Sequence, residues 1–106
     1  MVGRNIDVQE TVLFPGARRK VMVRGGKMML VEVRFDAGKV AAEHKHPHEQ
    51  SSYVVSGSLV LTIDGREEKL GPGDSFYVAP NVLHSVHFIE DSVVVDTFTP
   101  QREDFL

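Results

Sequence analysis

The chain has 106 residues, a formal net charge of -3 at pH 7 and no cysteine. This length fits one domain spanning residues 1–106, and the lack of cysteine excludes disulfides, thiolate metal sites and cysteine nucleophiles. The negative charge argues against a nucleic-acid partner, and no apolar run approaches the roughly 20 residues that cross a bilayer. Because residues 1–13 lack the continuous apolar core of a secretory signal, we expect a cytoplasmic protein without a membrane role.

Apolar residues occur in short groups separated by Gly, Pro, Asp and Asn, and no group keeps a helical period for more than two turns. This pattern predicts an all-β chain. Gly25-Gly26 separates two such groups and predicts a first hairpin, in which residues 20–24 pair with residues 27–35. The basic run before it, Arg18-Arg19-Lys20, is expected to be a solvated loop, since short charge runs usually face water.

Further strands are expected along the rest of the chain, with Asp64-Gly65 as a second hairpin turn. Their expected ranges are 40–46, 52–55, 59–63, 66–70, 75–78, 86–89 and 92–98. Eight to ten short strands at this spacing indicate a β-sandwich or a small barrel of the jelly-roll kind. The tail after Pro100 is polar but ends in Phe105-Leu106, so we expect it to pack back on the body.

Three of the five histidines, His44, His46 and His48, lie at alternate positions in one segment. Side chains on an extended strand repeat every second residue, so these imidazoles would share a face and suggest a metal site. His84, far along the chain, would close the coordination sphere, whereas His87 would face the opposite way. His48 and His87 are expected to be supporting or surface residues. The alternative is that the histidines only line a polar strand.

Asp96 is a second unusual residue, because it lies inside an apolar strand and shares its face with Val94 and Phe98. A carboxylate in such a place is costly unless it faces water or a site, and its proton affinity would be perturbed. It could then act as a general acid or base, or it could simply face solvent at the strand end. Arg102 could supply a fork that binds a carboxylate, or it could be a surface arginine.

Residues 38–57 contain two terminal glycines, two histidines and a glutamine at a spacing that resembles the first cupin motif. Residues 73–84 resemble the second motif, with Pro80 and His84 in their expected places. The resemblance implies an all-β cupin double-stranded β-helix, a jelly-roll barrel in which both motifs meet at one metal. Carried over residue by residue, it makes the metal ligands His44, His46, Gln50 and His84.

Gln50 stands where cupins usually have glutamate. Three neutral imidazoles and an amide would leave the charge of the metal uncompensated, which favours an anionic or oxygen-rich ligand in the open positions. Such a site suits Lewis-acid chemistry better than redox chemistry. One divalent metal ion is expected, and zinc, nickel, manganese and iron all stay open.

The C-terminal segment 96–106 and the strands around 28–33, 52–55 and 75–80 are similar to the pectin-degradation cupins of the KdgF group. This resemblance implies an enzyme that ketonises 4,5-unsaturated uronate monosaccharides, released from pectin or alginate, to linear 5-keto-4-deoxyuronates. It makes three residues functional: Asp96 for proton transfer, Arg102 for holding the substrate carboxylate or a hydroxyl, and Phe98 for shaping the pocket.

The resemblance also implies a small anionic sugar as partner and a homodimer. Two other functions stay open: a metal-dependent cupin dioxygenase, which would consume oxygen, and a non-enzymatic cupin that binds a sugar unchanged.

Overall fold

The computed structural model describes residues 1–106 as ten strands and one 3₁₀ turn. In chain order the elements are β1 (Glu10–Phe14), β2 (Ala17–Gly25), β3 (Met28–Phe35), β4 (Val40–His44), β5 (Glu49–Ser56), β6 (Leu59–Ile63), β7 (Arg66–Leu70), β8 (Ser75–Val78), β9 (His84–Phe88), β10 (Ser92–Thr99) and the 3₁₀ turn η1 (Glu103–Phe105). No helix is long and apolar enough to span a membrane.

The strands form two antiparallel sheets. The six-stranded sheet has the order β1-β2-β3-β10-β5-β8, and the four-stranded sheet has the order β4-β9-β6-β7. The all-β prediction is therefore confirmed. β10 lies between β3 and β5, so its inward side chains occupy the middle of the larger sheet.

The first hairpin is confirmed, but it is longer than expected. β2 begins at Ala17, and Gly26, with φ of +55°, provides the turn to β3. The interpretation of Arg18-Arg19-Lys20 as a solvated loop is therefore wrong. These residues lie on β2 and pair with β3. Because side chains alternate along a strand, Ala17, Arg19 and Val21 are turned toward one face.

The core lies between the sheets in two clusters. The larger one joins both sheets and contains Phe35 stacked on Phe88, with ring centroids 4.2 Å apart. The smaller one consists of Met29, Val31 and Phe98, against which Phe105 packs. The tail thus packs back through Phe105 as expected, whereas Leu106 is 61% exposed.

The site lies beside the end of β4 and the start of β9. β4 ends at His44, so His46 and His48 lie in the connection to β5 and not on an extended strand. Before β9, Asn81 takes φ of +63°, a left-handed conformation that asparagine tolerates, and His84 starts the strand. His44 and His84 are direct partners in the β4–β9 ladder.

Candidate metal centre and its cavity

His44, His46 and His84 form one group, in which each residue offers a ligand atom within 4.8 Å of those of the other two. The ring centroids of His44 and His84 are 4.2 Å apart, and those of His46 and His84 are 5.0 Å apart. The β4–β9 pairing brings the first and last of these residues together across the sequence. The predicted return of His84 to the other two is confirmed.

Backbone carbonyls orient all three rings. Nδ1 of His44 lies 2.8 Å from the oxygen of Ala42, and Nδ1 of His84 lies 2.8 Å from the oxygen of Val82. Nδ1 of His46 lies 3.1 Å from the oxygen of His48. Because a carbonyl only accepts, Nδ1 of His44 and Nδ1 of His84 carry the hydrogen, and the Nε2 atoms of these two rings are left with a lone pair. Metal-binding histidines are commonly held in this way.

His84 provides the test of whether these residues fit a metal. Its Nε2 is buried and has no hydrogen-bond partner in the protein. An unpaired buried nitrogen is costly, and burial lowers the pKa of His84 to about 4, so the ring is neutral at pH 7. Burial also lowers the pKa of His46. Neutral imidazoles that converge on one point are the donor set a divalent metal prefers, so the residues fit such an ion.

Gln50 adjoins this group from β5, on the opposite sheet. Its side chain is buried, and its Oε1 lies 3.0 Å from Nε2 of His46. Its Nε2 donates to Oγ of Ser52 at 3.0 Å. The amide oxygen is thus turned toward the histidines. Gln50 is therefore a residue beside the group that could offer an oxygen to an ion held there.

The remaining candidates lie outside the group. His87 is exposed, on the side of β9 away from His84. The His48 ring is 5.6 Å from that of His46 by centroid, but it offers no atom to the group. Glu49 turns outward and accepts a hydrogen bond from Tyr77 at 2.8 Å.

Asp96 faces the same interior as the histidines and not the solvent outside the sheet. Its Oδ1 accepts hydrogen bonds from Ser52 Oγ at 2.5 Å and from Gln50 Nε2 at 3.5 Å. Oδ2 has no partner among the protein atoms, yet it is not a fully buried atom. Burial raises the pKa of Asp96 to about 6, although the Ser52 hydrogen bond and the charge of Arg102 oppose the shift.

These groups line one cavity of about 230 Å³ between the sheets, and ten of its sixteen lining residues are hydrophobic. Among the polar and aromatic residues that line it are His44, Gln50, His84, Asp96, Phe98 and Arg102. Three of the four expected ligands and the C-terminal residues therefore meet at one place. Pockets that bind small molecules combine an apolar wall with a few convergent polar groups in this manner.

Arg102 is a cavity residue and not a surface arginine, since its side chain is only 12% exposed. Its Nε and Nη2 donate to the two carboxylate oxygens of Asp104 at 3.1 and 2.9 Å. Its guanidinium carbon lies 5.1 Å from the ring centroid of Phe98 and 4.3 Å from that of Phe105. The tail thereby forms one wall of the cavity.

Three residues were not assigned to this site from the sequence: Ser52, Arg19 and Phe105, although Phe105 was expected to pack on the body. Ser52 lies two residues after Gln50, and therefore on the same face of β5. Arg19 lies on the same face of β2 as Ala17. This alternation is visible in the sequence, but the run of three basic residues favoured a solvated loop instead.

The chain is similar in sequence and in fold to known proteins. Residues 31–98 match the family model described as Cupin domain. The pectin degradation protein KdgF of Dickeya dadantii is 39% identical over 96 residues, which cover 89% of this chain and 87% of that protein. Quercetin 2,3-dioxygenase of Bacillus subtilis is 31% identical over 61 residues, 57% of this chain but 18% of that protein. Among solved structures, KdgF from Halomonas sp. superimposes with a TM-score of 0.95 at 34% identity, covering 100% of this chain and 98% of the other.

Proposed function

Because the chain belongs to the cupin family and, within it, to the KdgF group, we propose that it is a metal-dependent enzyme that converts 4,5-unsaturated uronates to linear 5-keto-4-deoxyuronates. The substrates are the unsaturated monosaccharides that lyases release from pectin or alginate. The conversion is an isomerisation, so it needs no second substrate.

One observation carries this proposal: a carboxyl group with a raised pKa shares a cavity with histidines of a group that could hold a metal ion. Asp96 lines the same 230 Å³ space as His44 and His84. A site built only to bind a sugar has no need of a half-buried acid whose pKa lies close to neutrality. General acid–base catalysis does need one, because the group must both give up and accept a proton.

The metal would be held by His44, His46, His84 and the amide oxygen of Gln50. When bound, it supplies Lewis-acid polarisation of substrate oxygens and offsets negative charge that develops on them. The all-neutral ligand set leaves that positive charge available to an anionic substrate.

Asp96 moves the proton. Ring opening breaks the bond between C1 and the ring oxygen. The C1 hydroxyl gives up its proton and the former ring oxygen gains one, which leaves an aldehyde at C1 and an enol at C5. The enol then loses its hydroxyl proton as a proton is added to C4, which forms the C5 ketone. A carboxyl group with a pKa of about 6 exists in both forms near neutral pH, so one residue can serve as acid and base. Oδ2 is the atom that carries this proton, since Oδ1 already accepts from Ser52 and Gln50.

Phe98 and Arg102 position the substrate. Phe98 is 3% exposed and forms an apolar wall beside His46, with ring centroids 5.7 Å apart. Arg102 uses two of its donors on Asp104, and the rest of the guanidinium group is left for a substrate oxygen, either of the carboxylate or of a hydroxyl.

The test is a spectroscopic assay on freshly generated substrate. Metal-loaded protein mixed with unsaturated uronate should accelerate the loss of its ultraviolet absorbance beyond the spontaneous rate, and metal-depleted protein should not. An absence of acceleration with every metal tried would contradict the proposal. The assay should be repeated without oxygen, because a dioxygenase would then stop, whereas the proposed isomerisation would continue at the same rate.

A further inference from the structure

Arg19 is a charged residue at a position where β2 faces the core. Ala17 and Val21, its neighbours on the same face, pack in the two hydrophobic clusters. Its partner across the β2–β3 ladder is Val33, which also packs against these clusters. Arginine is seldom turned inward unless it is paired, so its presence here needs an explanation.

The guanidinium group of Arg19 makes no hydrogen bond and no ion pair with any other residue. Its neighbour in sequence, Arg18, faces the other way and pairs with Glu10 and Asp36 at 3.8 and 3.6 Å. Arg102 is bound in a fork by Asp104. Arg19 is therefore the free cation among the arginines near the cavity.

Phe105 holds the Arg19 side chain in place. The guanidinium carbon lies 3.7 Å from the ring centroid of Phe105, a stacking distance. Stacking uses the flat face of the guanidinium and leaves the N–H groups at its edge available. The fork is thus oriented before a ligand arrives, which lowers the entropy cost of binding.

Arg19 also lines the same cavity as His84, Asp96 and Arg102. Burial lowers its pKa, Asp104 opposes this shift and Arg102 adds to it. Its charge is therefore incompletely compensated in the free protein. A carboxylate in the cavity would supply the missing partner.

The geometry points to Arg19 as the residue that binds the carboxylate of an anionic sugar in this cavity, with Arg102 left to contact a hydroxyl oxygen. This inference rests on the proposed function for the identity of the ligand as a uronate. It assigns to Arg19 the discrimination between uronates and neutral sugars of the same shape.

Calorimetric titration with galacturonate and with galactose tests the inference without turnover, since neither sugar has the C4–C5 double bond that reacts. The substitution Arg19→Gln should weaken galacturonate binding about ten- to hundredfold, the range expected for a lost charge-assisted contact, and leave galactose binding unchanged. Arg18→Gln is the matched control and should keep wild-type affinity for both sugars. With the reactive substrate, Arg19→Gln should raise KM more than it lowers kcat.

Unchanged galacturonate affinity in a folded Arg19→Gln variant would overturn the inference, whether or not the wild type converts unsaturated uronates. Loss of galacturonate affinity together with an inactive wild type would support the inference and refute the proposed function. If Arg19→Gln lowers the melting temperature, Arg19→Lys replaces it. Lysine keeps the charge but not the fork, so galacturonate should bind more weakly than to wild type, and equal binding would overturn the inference.

Discussion

Asp96 illustrates how the environment of one residue determines its chemistry. Burial raises the pKa of its carboxyl group to about 6, and a hydrogen bond from Ser52 limits this shift. A more deeply isolated acid would stay protonated at neutral pH, and a solvated one would stay ionised. Ser52 therefore keeps the proposed proton carrier near the pH at which it must work.

We predict that Asp96→Asn lowers kcat by about a hundredfold to ten-thousandfold, the usual contribution of general acid–base catalysis. Asparagine preserves the shape and the Ser52 contact but carries no transferable proton. The ultraviolet assay measures activity, and metal analysis should show that the bound metal is retained.

Asp64→Asn is the control for this substitution. Asp64 is an exposed turn residue with φ of +51°, which asparagine also tolerates, so the variant should keep full activity. An Asp96→Asn variant as active as wild type would remove Asp96 from the mechanism.

At the scale of elements, the turn between β5 and β6 is packed against the turn between β9 and β10. Gly57 has φ of +89°, and a side chain there would run into the backbone of Asp91 and Ser92. Gly73, in the turn between β7 and β8, has the same φ of +89° but nothing within 4 Å. Substitutions at these two glycines therefore distinguish the free-energy cost of the positive φ from that of the close contact.

We predict that Gly57→Ala destabilises the chain by about 3 kcal/mol or more, because it adds a backbone clash to the cost of positive φ. Gly73→Ala has only the cost of the positive φ and should lower the free energy of unfolding by about 1 kcal/mol. Urea unfolding followed by circular dichroism measures both values. Equal costs at the two positions would show that the contact with Asp91 and Ser92 is unimportant.

The segment before β1 is tied to the outer face of β3 by a polar cluster. Glu32 accepts hydrogen bonds from Nδ2 of Asn5 and from Nε of Arg34, each at 3.0 Å. Lys20 donates to the backbone oxygen of Asn5 at 2.7 Å. Burial acts to raise the pKa of Glu32, but these hydrogen bonds and the nearby positive charges outweigh it, and the pKa is lowered.

This lowered pKa predicts a pH-dependent stability. The folded state binds fewer protons at Glu32 than the unfolded state, so the stabilisation is complete above the unfolded pKa of about 4.5. It is lost as the pH falls through the lower folded value. The free energy of unfolding in urea, measured from about pH 6 down to about pH 3, should decrease less steeply for Glu32→Gln than for wild type. Identical slopes would contradict the prediction.

At the scale of the whole molecule, the site joins the two sheets. His44 and His84 belong to the four-stranded sheet, whereas Gln50 and Asp96 belong to the six-stranded sheet. A metal held by residues of both sheets would bind the folded chain more tightly than the unfolded one, because His84 is far in sequence from the other expected ligands. Such binding stabilises the fold by mass action.

We predict that a bound divalent metal raises the melting temperature by about 10 °C or more once its concentration is a hundred times Kd, where binding contributes about 2.7 kcal/mol. Zinc, nickel and manganese should each be tried by calorimetry. His84→Ala should abolish the rise, and the exposed His87→Ala should retain it. A rise of equal size in His84→Ala would place the metal elsewhere.

The homodimer expected from the resemblance stays a prediction, as does the cytoplasmic location. Sedimentation equilibrium would check the first and fractionation of the producing cells the second.

Local patterns in the sequence determined nearly all of the strands, the two hairpin turns and the metal motif. Alternating apolar residues and glycine turns act over a few neighbours, so they are visible in one dimension. β1 was not predicted, because all five of its residues are exposed and no alternation of buried and exposed residues marks it.

The tertiary structure alone decided how the distant parts meet. Only the pairing of β4 with β9 brings His84 to His44, and only the β2–β3 ladder turns Arg19 into the cavity beside Phe105. The raised pKa of Asp96 likewise follows from burial between sheets and not from its neighbours in sequence. The sequence specifies the type of each residue, but the exposure and the partners of that residue depend on contacts between strands far apart in sequence.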